Sequence, residues 1–453
     1  MTKKLSIYLI AAVSMLGTAC EKKMHLENPQ ALDASIVFST DDRVKQVLIG
    51  NYASMGASAL YGGDALWMSE LLASDGELSW VGTFPDPRQI WGKNILTNNS
   101  YVFGTYASAY RVIYNSNNIL ANLGVVNAAD KAKVEGEAKF LRGLAYFALV
   151  EYFGEKPYVA GSPTTLKGVP LITAPGPSAP QSPEYNLPRA SVEEIYVQAI
   201  KDLTDATTML PNTNGVYANK PAAFMALARV HLQQAKYDLA LAAANSAITV
   251  GFANGFRMVP TYAGAFNNAA NTTEDLFCMQ NNVVAGTNSC FTFFSTSTYG
   301  ARDGDIEVNL KHMNKYETGD LRKALFFFES GANRVGKWQQ NYKNVKVLRM
   351  AEAYLTRAEC NVRLGSSVGA TPYADIKLIR DRAGLSVINS PTLADVLKER
   401  ELELAFEGQG IWDAKRLKQS VEGLPWDDPK LTFPIPQRER NINPQLAQNP
   451  GYN

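Results

Sequence analysis

Lys398–Lys418 reads KERELELAFEGQGIWDAKRLK, and the fold turns on what its acids are for. Glu403 and Glu407 are four apart, which places both on one face of a predicted helix, about one turn from each other. Two carboxyl groups are also what a glycosidase needs, about 5 Å apart for retention and about 6.5 to 9.5 Å apart for inversion. The setting argues against that chemistry. A general acid needs a raised pKa, whereas Arg400, Lys415 and Arg416 supply enough nearby cations to lower both acids. Leu397, Leu402, Leu404, Ala405 and Phe406 interleave with the charges. The segment therefore reads as framework: a helix, a turn at Gly408 and Gly410, and Trp412 packing where a second short helix begins. Arg400, Glu403, Glu407, Asp413 and Arg416 are its expected structural ion network. The sequence offers no pairing of His with a nucleophile, no Gly-rich phosphate loop and no HExxH, so no catalytic residues are predicted.

Outward from this segment the pattern is helical. DDRVKQVLIGNYASMGA follows a candidate Ser39 cap, and YVFGTYASAYRVIYNSNNILANL and KAKVEGEAKFLRGLAYFALVEYFG carry apolar residues at helical spacing. Ser191 and Glu194 form a capping-box signature ahead of another helix. NKPAAFMALARVHLQQAKY and YDLALAAANSAITV read as a helical hairpin of the tetratricopeptide kind, with small alanines for close approach and Tyr237 at the turn. NVKVLRMAEAYLTRAECNVRLG and TPYADIKLIRDRAG repeat the idea. Such pairs bury little alone and are stable when stacked. The expected architecture is mainly α: tetratricopeptide-like pairs forming a curved scaffold over 38–153, 190–250 and 345–418, with long loops and minor β-structure. AGTNSCFTFFSTSTYG is a candidate strand. The stretches 56–99 and 259–344 are too polar and too long for plain connections, which makes them the candidate ligand loops. The proline-rich 431–453 is expected to run extended, with Phe433 and Ile435 inward and Arg438 and Arg440 near the acids of the opening segment.

The first residues, MTKKLSIYLIAAVSMLGTAC, have a basic start, an apolar run and small residues before Cys20, the form of a secretory leader rather than a spanning helix. A cysteine at that point predicts a lipoprotein: 1–19 removed, Cys20 acylated, 20–37 a tether, and 20–453 one domain held at a membrane by its acyl chains. Without the leader, 42 basic side chains face 43 acidic ones. A neutral body excludes nucleic acid as an electrostatic partner. Cys278 and Cys290 are candidates for a bridge, without support from a dense disulfide framework. Three scattered histidines, and Asp303 and Asp305 without the spaced ligands of an EF-hand, predict neither a metal site nor a cofactor.

In their order along the chain, these residues resemble the SusD/RagB family of nutrient-uptake lipoproteins. AYRVIYNSNNIL, EGEAKFLRGLAYFALVEYFGEKPYV, GVPLIT, LPRASVEEIYVQAIKDLTDA, VLRMAEAYLTRAEC, IKLIRDRAGL, the opening segment and LTFPIPQRERNINPQLAQNPGY carry the resemblance over nearly the full mature chain. It implies a noncatalytic cell-surface binder that sits over a SusC-like TonB-dependent transporter barrel in the outer membrane and captures oligosaccharides or polysaccharides, or in some members peptides. A protein-binding adhesin or scaffold is the alternative that helical repeats allow.

Sugars present apolar faces and hydroxyls, so their sites pair exposed aromatic platforms with a few polar groups. Trp67, Trp80 and Trp91, half of the six tryptophans, fall with Tyr61 and Phe84 in one short acid-rich span. Trp80, flanked by Ser and Gly, leads as a ligand contact over Trp67 and Trp91, whose alternative role is to anchor loops on helices. Tyr299 and Arg302 are the second set, and Trp338 and Tyr342 a third.

Overall fold

The computed structural model describes residues 34–159, 165–175, 186–284 and 286–452. The leader, Cys20 and most of the 20–37 tether lie outside them; the described end of the tether, Ala34–Val37, is one helical turn.

Chain order sets the packing. Helix α1 (Asp41–Met55) is capped by Thr40, whose side chain accepts from Arg43 N, one residue after the expected Ser39. It is followed by α2 (Asp64–Ala73), α3 (Pro85–Trp91), α4 (Ser100–Ala121) and α5 (Ala128–Phe153). Next come α6 (Val192–Met209), which carries the Ser191/Glu194 capping box, and the hairpin α7 (Lys220–Gln233) and α8 (Tyr237–Ala253). After α9 (Ser289–Phe294) the C-terminal part supplies α10 (Met350–Leu364), α11 (Pro372–Arg382), α12 (Leu393–Glu403), α13 (Gly410–Arg416) and α14 (Gln437–Ile442). From α4 to α8 each helix packs on the next, and α10 continues the row against α8, α11 and α12. Close approach depends on small residues: Ala222, Ala226, Ala244 and Ala247 are buried in the α7–α8 hairpin, and a Cβ on Gly143 of α5 would meet Leu203 and the Ala199 carbonyl of α6.

Strands β1 (Leu78–Trp80), β3 (Ile306–Val308), β4 (Phe326–Glu329) and β5 (Ala332–Val335) form an antiparallel sheet in the order β1-β3-β5-β4, while β2 (Asp275–Met279) pairs with β6 (Val345–Arg349). The predicted helix around 345 is thus strand β6 up to Arg349. The expected strand at 289–299 is α9 followed by a 3-10 turn, Ser297–Tyr299, because the Asn288 side chain caps Phe291 N at 2.7 Å. Cys278 lies in β2 and Cys290 in α9, both as buried free thiols, so the candidate bridge is not formed.

The opening segment is framework, with partners other than those its spacing suggests. Helix α12 ends at Glu403; Phe406 (φ 62°) and Gly408 (φ 85°) turn the chain, so Glu407 lies beyond the helix. Arg349 binds Glu274 at 2.8 Å, Glu403 at 2.7 Å and Glu407 at 2.7 Å. Arg382 joins Glu274 to Glu403, both at 2.5 Å, and Lys337 reaches Glu407 at 2.6 Å. Burial alone would raise the Glu403 carboxyl, but Arg382, Arg349 and Arg322 outweigh it and hold it at about 2. Arg400 and Arg416 belong to a second network, both on Asp413 at 2.8 and 2.6 Å, with Arg416 also on Glu359 at 2.6 Å. Lys415 donates instead to the Glu151 carbonyl.

In the tail, Phe433 and Ile435 are buried as expected, with Phe433 stacked on Tyr152 at 5.0 Å. The tail is not extended throughout, since α14 follows Pro436. Arg438 sits 5.0 Å over Phe103 and Arg440 donates to the Leu446 carbonyl, so neither pairs with the acids of the opening segment.

Candidate ligand-binding site

The two sequence stretches richest in aromatic candidates, about 230 residues apart, meet because β1 pairs with β3: Leu78 faces Val308 and Trp80 faces Ile306. The pairing continues past the strand as Val81 N donates to Asp305 O at 2.9 Å. Gly82 is required at this approach, since a Cβ there would fall 2.5 Å from Asp305 Cγ. Asp305 in turn takes Arg302 Nε at 2.5 Å, Arg302 Nη2 donates to Thr83 Oγ1 at 3.2 Å, and its guanidinium lies 4.0 Å over the Phe84 ring.

The loop 296–305 is held from its other side by the β4–β5 hairpin. Its two-residue turn, Ser330 and Gly331, has φ of 50° and 79°, the left-handed pair that matches the twist of the strands. At the turn, the Glu329 carboxylate accepts from Thr296 Oγ1 at 2.7 Å and from Thr298 Oγ1. Tyr299 packs edge-on against Phe327 at 5.5 Å. The result is a surface of partly exposed rings on short, braced loops, Tyr299 (41%) and Phe84 (37%), with the Arg302 guanidinium over Phe84; Phe328 (73%) is exposed on β4, on the face opposite to Phe327 and its Tyr299 partner. Flat apolar faces beside fixed polar groups are the features that grip a sugar ring or an extended polar chain.

Of the predicted contacts, Tyr299 and Arg302 are on this surface. Trp67 and Trp80 are not: they are 0% and 2% exposed, packed around Phe293 at 5.1 and 5.4 Å, and present no face to a ligand. Tyr61 is also buried, and burial pushes its hydroxyl up to about 12. Trp91 is partly buried and ties its indole to the Leu78 carbonyl at 2.9 Å, while Trp338 is buried and donates to the Phe406 carbonyl at 2.9 Å. The tryptophans are footing: Phe293 also touches Phe84 at 6.3 Å, so the buried cluster supports the ring that emerges from it. Phe328 went unrecognised in the sequence. Its signal is the run Phe326-Phe327-Phe328, since successive strand residues point to opposite faces and three in a row cannot all turn to one core.

Two family profiles match this chain. One, SusD-like and described as starch-binding associating with the outer membrane, covers residues 31–232, and the SusD family itself covers residues 261–428. SusD-like protein P2 of Formosa agariphila is 25% identical over 94% of this chain and 96% of its own length. SusD-like protein P38 of the same organism is 22% identical over 99% of each. Among solved structures, a putative sugar binding protein from Bacteroides vulgatus superposes with a TM-score of 0.80 at 24% identity, covering 91% of this chain and 99% of that one. Surface glycan-binding protein A from Bacteroides thetaiotaomicron gives 0.75 at 17% identity, over 91% and 100%. At these identities the structural likeness speaks for the fold.

Proposed function

We propose, since the chain belongs to the SusD/RagB family of outer-membrane-associated glycan-binding proteins, that it captures an oligosaccharide or polysaccharide without cleaving it and delivers it to a TonB-dependent, SusC-like barrel. Acylated Cys20 anchors it at the cell surface in this reading. The observation that carries the proposal is the braced, partly exposed rings of Tyr299 and Phe84, with Arg302 held over Phe84. Pre-set aromatic platforms cost little ordering on binding, which is where weak multivalent contacts otherwise lose affinity. A noncatalytic role agrees with the fate of the acids at 403 and 407, whose cations keep them ionised and therefore unable to donate a proton.

The test is calorimetric titration with a panel of glycans, and with peptides in parallel. Tyr299→Ala together with Phe84→Ala is expected to weaken the best glycan by about tenfold or more while far-UV circular dichroism shows the fold retained. Unchanged affinity in the double variant would remove this surface as the site. Heat with peptides and none with any glycan would move the cargo to the family's peptide-binding branch.

A further inference from the structure

A second concavity lies away from that surface. It is a cleft of about 700 Å³ between α2, α12 and α13, large enough for a small organic ligand. Its wall contains Glu70, which is buried. Glu70 Oε1 is occupied, accepting from Gly408 N at 2.7 Å and Gly410 N at 3.2 Å. Oε2 has no hydrogen-bond partner among the described residues, and it sits against Gly410, where a Cβ would come within 2.9 Å of it.

Charge sets Glu70 apart from its neighbours in the cleft. Glu77 and Glu401 share Lys315 at 2.9 and 2.5 Å, Asp75 has Lys311 at 2.6 Å, and Asp413 has Arg400 and Arg416. Lys398, the remaining cation of the wall, is drawn to Glu317 at 3.3 Å. Among the carboxylates that line the cleft, Glu70 alone makes no ion pair. The rest of the wall is mixed: Leu397 and Leu417 are partly exposed beside polar side chains such as Gln419 and Ser420.

A buried carboxylate with one free oxygen, no ion-pair partner and leucine side chains in the same wall is complementary to a positive group on an aliphatic stem. We propose that this cleft is a second binding site, for an organic cation whose ammonium or guanidinium group binds Glu70 Oε2 and whose stem lies along the leucines. The shared chemistry fits a lysine-bearing peptide or an amino sugar. Burial pushes the Glu70 carboxyl up to about 7, against the lowering effect of Gly410 and Gly408 and of the more distant Lys337. Binding therefore strengthens as pH rises through that value, because the cation needs the ionised form. The other groups facing it are Lys315, Lys398, Arg400 and the paired acids already named, with His312 held neutral by burial at about 3.

Calorimetry on the purified protein separates the cases with matched pairs: N-acetylated Ala-Lys-Ala amide against its norleucine isostere, and glucosamine against N-acetylglucosamine. At least one cation is expected to bind about tenfold more tightly than its neutral partner at about pH 8, with the preference shrinking towards about pH 6. The pair that shows the preference identifies the source as peptide or amino sugar, and both together identify the shared cation. Glu70→Gln, which keeps an oxygen for the two glycine N–H groups, is expected to erase the preference. Ala394→Trp, at an exposed position on the cleft wall, is expected to block binding without lowering stability. The proposal is overturned if neither cation outbinds its isostere, or if either variant, melting like the parent, keeps the preference.

Discussion

Glu403→Gln removes one charge from a site where two arginines converge within hydrogen-bond distance and a third stands 3.9 Å away. Folding takes the carboxyl from 4.5 to about 2. At about 1.4 kcal/mol for each tenfold change in proton affinity, that is about 3 kcal/mol of stability. The side chain is fully buried, so solvent screening takes little of it, and removing one partner of a buried ion group costs about 3 to 5 kcal/mol by independent reasoning. The sign follows from a depressed pKa: the contribution is complete above 4.5 and drains away as pH falls towards 2. Urea unfolding of parent and variant, followed by far-UV circular dichroism, measures the gap between them, and effects of other acids cancel in the difference. The expected gap is about 3 kcal/mol at neutral pH and about 2 kcal/mol near pH 3.5. A gap under about 1 kcal/mol at neutral pH, or one that stays constant or widens on acidification, would refute the electrostatic account of the frame.

Two further outcomes follow from burial. Trp80→Ala opens a hole between Trp67 and Phe293 and is expected to cost about 3 to 5 kcal/mol, seen as a lower melting temperature with glycan affinity intact in the folded protein; lost affinity at unchanged melting would return Trp80 to the ligand site. Burial also pushes the Cys278 and Cys290 thiols far above their ordinary range and Cys360 up to about 12. All three are expected to resist a thiol reagent in the native protein and to react fully in denaturant without reductant, and a thiol missing from that denatured count would contradict the free pair.

Local signals in the sequence carried the helices. Ser191 and Glu194 announced their capping box, the alanines of residues 219–250 announced a close helical pair, and the opening segment announced a charged frame. Partner choice was illegible, because the cations on Glu403 and Glu407 arrive from positions 322, 337, 349 and 382, and proximity in sequence favoured Arg400 and Arg416 instead. Glu407 was placed on the helix because charge spacing is visible, whereas the left-handed turn at Phe406 that ends the helical run is not. The site failed at Trp80 for a related reason. Ser and Gly beside it look like a loop, but β1 finds β3 more than 220 residues away, and that pairing buries the indole. Tyr299 and Arg302 stay at least partly exposed, as their polar, Gly-flanked loop suggests, because that is a local property that the tertiary fold leaves in place.

The ion network also bears on how relatives of this protein diversify. The excursion from 259 to 344 contributes Glu274, Arg322 and Lys337 to charges buried in the scaffold. Transplanting that whole stretch between homologues would strand host charges in a low-dielectric interior unless all three travel with it and meet equivalent partners. What remains interchangeable is confined to the tips, residues 81–84, 296–303 and the Ser330–Gly331 turn, so under the proposed function a change of cargo would be confined to those tips while the body beneath them stays fixed.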